Sequence, residues 1–237
     1  MIPVRVYWLM QGMRDVPADD DWLSIEERAH LEAISFPKRR GEWRLGRWTA
    51  KRAARAYLAG GGDTLSSSMV EIRAAADGAP EVYVDGEEAP VSISISHRSG
   101  FCLCSLAAHD VAVGCDLESV EPRSEEFVAD YFTVQERELL SRVAPVDLPL
   151  FATVIWSAKE SALKLVRQGL RRDTRTMLIR FDPESRDIGW KRVFIQCTES
   201  WSRYHGWWLV VGEFVLVIST DVETRKPFDL RVSACFQ

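Results

Sequence analysis

The chain lacks the features that would place it in most specialised protein classes. Its 237 residues include only five cysteines, Cys102, Cys104, Cys115, Cys197 and Cys235, an odd number with no C-x-x-C pair and no flanking histidine. That argues against a disulfide framework, and the cysteines read as reduced core residues. His30, His109 and His205 lack metal-ligand spacing, so a zinc site is not expected. No apolar run approaches a membrane span, and the first twenty residues, with Arg5, Arg14 and several Asp, show no signal-peptide pattern. The expectation is a cytoplasmic protein without a membrane partner. Positive charge is not in excess either: 30 Lys and Arg against 35 Asp and Glu give a formal net charge of −5. Binding to a phosphate backbone usually leaves a basic domain, so nucleic acid is not the expected main partner.

What the sequence does contain is two short polar patterns. From Val111 to Glu118 the residues alternate, with Val111, Val113, Cys115 and Leu117 on one side and Ala112, Gly114, Asp116 and Glu118 on the other. This period of two predicts a half-buried strand whose second face carries two carboxylates beside two residues too small to block a ligand. Further on, Trp156, Glu160 and Lys164 recur at every fourth position, with Leu163 and Val166 on a neighbouring stripe. That spacing predicts an amphipathic helix presenting Glu160 and Lys164 together. One strand and one helix thus supply three carboxylates, the oxygen donors that a magnesium ion shares with substrate phosphates. Taken singly, each pattern also fits a solvated polar face, since Glu and Lys four apart form an ordinary surface helix pair.

Along the chain, a strand is expected at Val4–Leu9, a helix near Ser24–Ile34 with a Ser24/Glu27 capping box, and a long helix from about Arg39 to Ala59. Gly60-Gly61-Gly62-Asp63 ends that helix, and turn signals at Asp77-Gly78, Asp85-Gly86 and Arg98-Ser99-Gly100 separate four strands between Val70 and Ala107. After the acidic strand come helices near Ser124–Tyr131, Val134–Arg142 and Leu148–Gln168. Strands follow at about Met177–Phe181, Val193–Thr198, Trp207–Val211, Phe214–Ser219 and Leu230–Phe236. Helix and strand recur in similar order on either side of residue 109, which divides the chain into residues 1–108 and 109–237. No sequence repeat stands out. On the long helix, Arg40, Arg44, Arg47, Lys51 and Arg55 are spaced three or four apart and form one basic stripe, suited to phosphate groups or to solvent. Trp43 and Trp48 on the same helix read as packing groups rather than as a base-stacking surface for nucleic acid.

Together these motifs resemble the Sfp-like group of 4′-phosphopantetheinyl transferases. The resemblance rests on Val113-Gly114-Cys115-Asp116-Leu117-Glu118, on Trp156-Ser157-Ala158-Lys159-Glu160-Ser161-Ala162-Leu163-Lys164, on Pro37-Lys38-Arg39-Arg40 followed by Leu45-Gly46-Arg47, on Ile95-Ser96-His97, and on Tyr131-Phe132-Thr133 with Glu136. After about Arg175 no motif matches. Two departures are visible. Gly78-Ala79-Pro80 stands where relatives carry Gly, a basic residue and Pro, and Arg167-Gln168-Gly169-Leu170 stands where many have Gly-x-Gly-Leu.

The resemblance implies an α+β fold of two similar α+β halves related by a pseudo-twofold axis, with coenzyme A bound in the cleft between them. It implies transfer of phosphopantetheine from coenzyme A to a serine of an apo acyl or peptidyl carrier protein, with release of adenosine 3′,5′-bisphosphate. Mg2+ is expected on Asp116, Glu118 and Glu160. Coenzyme A as substrate is expected to meet Arg40, Arg47, Lys51, Ser96, His97 and Lys164. The base for the acceptor serine is Glu160, a magnesium-bound water or, by family position, Glu136, and Lys159 is expected to position the strand or the metal ligands. Arg123, Arg167, Arg171, Arg172 and Leu170 form a candidate surface for an acidic carrier, or equally a solvated one. A monomer suffices for one complete cleft. A noncatalytic module binding coenzyme A or a carrier, and a nucleic-acid-binding module, are the alternatives from other functional classes.

Overall fold

The computed structural model describes residues 4–59, 65–183 and 189–233. Gly60-Gly61-Gly62-Asp63, Cys235 and the end of the strand expected at Leu230–Phe236 lie outside the described residues. In chain order the elements are β1 (Tyr7–Gly12), α1 (Ile25–Ala33), α2 (Pro37–Leu58), β2 (Val70–Ala74), β3 (Pro80–Val84), β4 (Glu87–Glu88), β5 (Val91–Arg98) and β6 (Phe101–Ala108). They continue with β7 (Val113–Ser119), α3 (Glu125–Tyr131), α4 (Val134–Leu140), α5 (Leu148–Leu165), β8 (Met177–Phe181), β9 (Lys191–Cys197), β10 (Arg203–Val211), β11 (Phe214–Thr220), β12 (Phe228–Asp229) and α6 (Leu230–Ser233). Two expectations are corrected. The first strand runs three residues later than Val4–Leu9, while Val4 makes an isolated parallel bridge to Thr224. Leu230–Ser233 is a helical turn rather than the start of a strand.

Contacts divide the chain into two units, one of Val6–Asp110 with residues 228–233, the other of residues 4–5 with Val111–Pro227. The sequence division at 108/109 stands two residues before this boundary and has no counterpart to the exchange of the chain ends. In the first unit, β12-β1-β6-β5 form a four-stranded sheet and β2-β3-β4 a three-stranded one, antiparallel except for β12 beside β1. In the second, β7-β11-β10-β9-β8 form one antiparallel sheet. Each unit packs one long helix on its strands, so the fold class is α+β. Helix α2 starts at Pro37, whose missing N–H would be an orphan there in any case, and buries Leu45, Thr49, Ala50, Ala53 and Ala54. Ala50, Ala53 and Ala54 join Val70, Ile72, Ile93, Cys104 and Leu106 in a core. Helix α5 buries Val154, Ile155, Ala158 and Ala162 against Val193, Ile195, Val215 and Val217. Each such aliphatic side chain stabilises by roughly 1.5–3 kcal/mol when fully buried. Polar groups drawn inside with them must find partners.

Those polar groups follow one plan in both units. Ser24 caps α1: its hydroxyl accepts from Glu27 N at 3.2 Å, and the Glu27 carboxylate accepts from Ser24 N at 3.1 Å, which forms the expected capping box. The same carboxylate accepts from Ile72 N of β2 at 3.1 Å and pairs with Lys51 of α2, which donates to Trp22 O at 2.9 Å. In the second unit Thr133 caps α4, and the Glu136 carboxylate accepts from Thr133 N at 2.8 Å and from Ile179 N of β8 at 2.8 Å. Glu136 pairs with Lys159 of α5 at 2.9 Å, and Lys159 donates to Thr174 O at 3.1 Å and Met177 O at 2.6 Å. Lys51 and Lys159 are fully buried. Burial draws both ammonium groups below their ordinary pKa of 10.5, and the facing carboxylates act against it.

The shared plan corrects the expectation of no repeat. Leu23-Ser24-Ile25-Glu26-Glu27-Arg28 matches Phe132-Thr133-Val134-Gln135-Glu136-Arg137, Trp48-Thr49-Ala50-Lys51 matches Trp156-Ser157-Ala158-Lys159, and Glu71-Ile72-Arg73 matches Leu178-Ile179-Arg180. The tryptophans that open the second pair occupy equivalent packing sites. Trp48 meets Trp22 edge-on at 5.2 Å, and Trp156 meets Phe127 at 4.9 Å and Tyr131 at 5.1 Å.

Removing the carboxylate of either network leaves a buried ammonium without its counter-charge, which costs about 3–5 kcal/mol. Glu27→Ala and Glu136→Ala should each lower stability to urea by that amount, and the double change Glu136→Gln with Lys159→Met should cost clearly less. Losses under about 1 kcal/mol in both single variants would show that the networks contribute little.

Candidate functional site

Strand β7 is buried on both faces, with Asp116 2% and Glu118 9% exposed, where a half-buried strand was expected. The reason is α5, which crosses the face carrying Gly114 and Asp116. A Cβ on Gly114 would lie 1.9 Å from the Ser161 carbonyl oxygen and 2.7 Å from Leu165 N, so only glycine permits this approach. Gly114 is therefore small because a helix passes over it, and not to leave room for a ligand. The contact continues through Ser161 Oγ, 2.6 Å from Ser219 Oγ on β11, the cross-strand partner of Gly114. One turn along, Lys164 Nζ donates to Asp116 Oδ1 at 2.8 Å.

The three carboxylates expected to act together are electrostatically joined. Glu160 is pushed up from 4.5 to about 7, first by burial, then by the charge of Asp116, with Glu118 adding and Lys164 opposing. Lys164 loses charge stability to burial, yet Asp116 and Glu160 hold it above its ordinary 10.5, so it remains an ammonium. Arg123 pairs with Glu118 at 3.3 Å and with Glu121 at 3.3 Å, and lies over the Phe127 ring. Among the described residues no group of three or more acidic, His or Cys side chains is gathered as a metal site. In donor chemistry, however, Asp116, Glu118 and Glu160 suit a hard divalent cation, which would relieve the repulsion that raises Glu160.

In the other unit a wide groove of about 780 Å³ is lined by α2, by the turn leading into β3 and by β5. Arg47 and His97 both line it. Arg47 lies 4.8 Å from the Trp43 ring centroid, and its buried Nε has no hydrogen-bond partner among the described residues. Burial lowers the pKa of its guanidinium, with Glu27 opposing. Sequence reasoning assigned no ligand role to Phe36, Lys38, Arg39 and Trp43, which line the same groove. The Pro37-Lys38-Arg39-Arg40 motif was the available signal for two of them. Gly78 and Pro80 also line the groove, so Lys38, Arg39 and Arg47 give its wall the positive charge that Ala79 does not.

The remaining residues of the basic stripe are used inside the protein. Lys51 is locked to Glu27 and has no exposed surface, which removes it from the coenzyme A set. Arg40 donates to Leu31 O at 2.8 Å, at the end of α1, and does not line the groove. Arg44 binds Asp20 at 2.8 Å and Pro17 O at 2.7 Å, and Arg55 binds Ser67 at 2.8 Å. Neither forms a solvated stripe. On β5, Ile93 and Ile95 pack on the core of the unit. Ser94 and Ser96 are buried, and Ile95 lines the groove with His97. Alternation puts Ser96 on the opposite face of the strand, so it leaves the groove set.

Glu136 is 1% exposed and fully engaged with Lys159, Ile179 N and Thr133 N, which removes it as a candidate base. Lys159 anchors the start of β8 and, among the described residues, makes no hydrogen bond to β7. Arg172 is tied to Glu199, to Gln168 Oε1 at 3.2 Å and to Cys197 Sγ at 3.1 Å, while Arg167 and Arg171 line a second open cavity of about 570 Å³ with it. Leu170 carries no described side chain. Cys102, Cys104, Cys115 and Cys197 are buried thiols. Among the described residues no helix is long and apolar enough to cross a membrane.

Comparison with known proteins matches residues 112–218 to the model of the 4′-phosphopantetheinyl transferase superfamily. No curated protein sequence matches the chain. Among solved structures, a holo-(acyl-carrier-protein) synthase from Bacillus anthracis str. Ames in complex with CoA (3′,5′-ADP) is 22% identical, over 45% of this chain and 96% of that one, with a TM-score of 0.37. Thermotoga maritima holo-[acyl-carrier-protein] synthase is 20% identical, over 56% of this chain and 76% of that one, with a TM-score of 0.36.

The raised pKa of Glu160 has a measurable consequence. Its folded value of about 7 lies above the ordinary 4.5, so protonation favours the folded state below pH 4.5, and this contribution is lost as pH rises through 7. In EDTA, Glu160→Gln should therefore gain on the wild type by roughly 2 kcal/mol between about pH 5 and pH 8, read from urea midpoints. Parallel curves over that range would contradict a raised Glu160.

Proposed function

From the match of residues 112–218 to the model of the 4′-phosphopantetheinyl transferase superfamily, we propose that the chain moves phosphopantetheine from coenzyme A to a serine of an apo carrier protein, acyl or peptidyl. The observation that carries the reading is the joining of Asp116, Glu160 and Lys164 where α5 crosses β7, with Glu160 poised to exchange a proton near neutrality. The reaction forms a bond from the acceptor serine oxygen to the phosphorus of phosphopantetheine and breaks the pyrophosphate link, releasing adenosine 3′,5′-bisphosphate. Glu160 takes the proton of the serine hydroxyl as general base. Lys164 stays protonated and faces the charge that develops on the leaving phosphate. Magnesium, held by Asp116, Glu118 and Glu160, supplies Lewis-acid stabilisation of the pyrophosphate oxygens when bound. Arg47 and His97 are assigned to the phosphates of coenzyme A, because both line the groove and a guanidinium fork suits phosphate oxygens.

The repeated buried network within one chain supports the Sfp-like group, whose resemblance implies two similar halves. Which carrier is served depends on the surface that meets it. Arg167, Arg171 and Arg172 line one open cavity and are the candidate cations for an acidic helix.

The test is chromatographic release of adenosine 3′,5′-bisphosphate from coenzyme A in the presence of an apo carrier protein. Asp116→Ala and Glu160→Ala should each lower the rate at least about 100-fold with unchanged circular dichroism. Retained turnover in a folded Asp116→Ala variant would overturn the assignment.

A further inference from the structure

Phe36 is 73% exposed, and it stands on the wall of the α2 groove with Lys38, Arg39 and His97. Its placement is built rather than incidental. Phe36 is the N-cap of α2 with φ −86 and ψ 120, and Pro37 restricts the preceding residue to this extended region. The ring is thus presented from a backbone with little freedom to lose on binding. It offers the helix no capping hydrogen bond, and it is absent from the cores of its unit.

Trp43, the other large aromatic of the groove, is occupied differently. Its ring stacks with His30 at 5.2 Å and carries the Arg47 guanidinium at 4.8 Å, so it serves to hold Arg47. That leaves one presented aromatic face beside four cationic or imidazole groups, with Glu42 the single carboxylate on the wall, 4.0 Å from Lys38. A groove of about 780 Å³ is of a size that takes a whole cofactor rather than one phosphate.

We propose that Phe36 is the base-stacking residue of this groove, receiving the purine ring of a phosphate-bearing nucleotide while the neighbouring cations face its phosphates. Aromatic side chains bind bases through their π faces and tolerate any base, so Phe36 supplies affinity for a nucleotide as against bare pyrophosphate. The inference rests on the coenzyme A reading, in which the ring is the adenine of coenzyme A.

Isothermal titration calorimetry of the full chain with coenzyme A, adenosine 3′,5′-bisphosphate and inorganic pyrophosphate tests it. Phe36→Ala, at an exposed position, should weaken both nucleotides about tenfold and leave pyrophosphate within about twofold, and Phe36→Tyr should restore nucleotide binding. Nucleotide affinity within about twofold of wild type in Phe36→Ala would overturn the proposal alone. Equal weakening toward pyrophosphate would overturn it as well, by showing a general effect on the groove. Failure of the wild type to bind coenzyme A would instead overturn the reading on which it rests.

Discussion

A buried lysine held between a helix-capping glutamate and backbone carbonyls is the constraint on which each unit depends. Glu27 with Lys51, and Glu136 with Lys159, each join three elements at one point: a capped short helix, the long helix and the first strand of a hairpin. Neither charge is tolerable alone in such surroundings, and each lysine is paired with its glutamate and donates to backbone carbonyl oxygen. The network therefore fixes the rotation of the long helix about its axis more firmly than aliphatic packing would, because hydrogen bonds are directional and apolar contacts are not.

That rotation decides what the next residues of each helix can do. Immediately after the shared lysine, α5 continues Glu160-Ser161-Ala162-Leu163-Lys164, and α2 continues Arg52-Ala53-Ala54-Arg55-Ala56. With Lys159 turned toward β8, Glu160 and Lys164 meet Asp116, and the glycine at 114 lets the helix come close enough for an ion pair of 2.8 Å. The same frame in the other unit carries no acid at the corresponding positions and instead presents Arg47 along its groove. Two copies of one scaffold thus hold different chemistry, acidic in one unit and basic in the other.

The legible part of this arrangement was local. Turn glycines, capping residues and apolar periods mark nearly every element, and the spacing of Trp156, Glu160 and Lys164 places Glu160 and Lys164 on one helix face. Burial was less legible, because alternation along β7 shows which residues share a face but not that a helix covers the polar one. The basic stripe on α2 misled for the same reason: Lys51, Arg40, Arg44 and Arg55 look alike in sequence, and only tertiary contacts separate those consumed by Glu27, Leu31 O, Asp20 and Ser67 from Arg47. The internal repeat escaped notice because its matched residues are scattered in three short pieces and specify a buried hydrogen-bond pattern. A hydrophobic period does not reveal them.

The central claim is a group transfer carried by the acidic centre, and the mass of the acceptor reports it most directly. Intact-mass measurement of an apo acyl carrier protein incubated with the chain, coenzyme A and magnesium should show the gain of one phosphopantetheine, absent from a parallel sample in EDTA. An unchanged mass for carriers that a known transferase does convert, with coenzyme A demonstrably bound to the chain, would contradict the account.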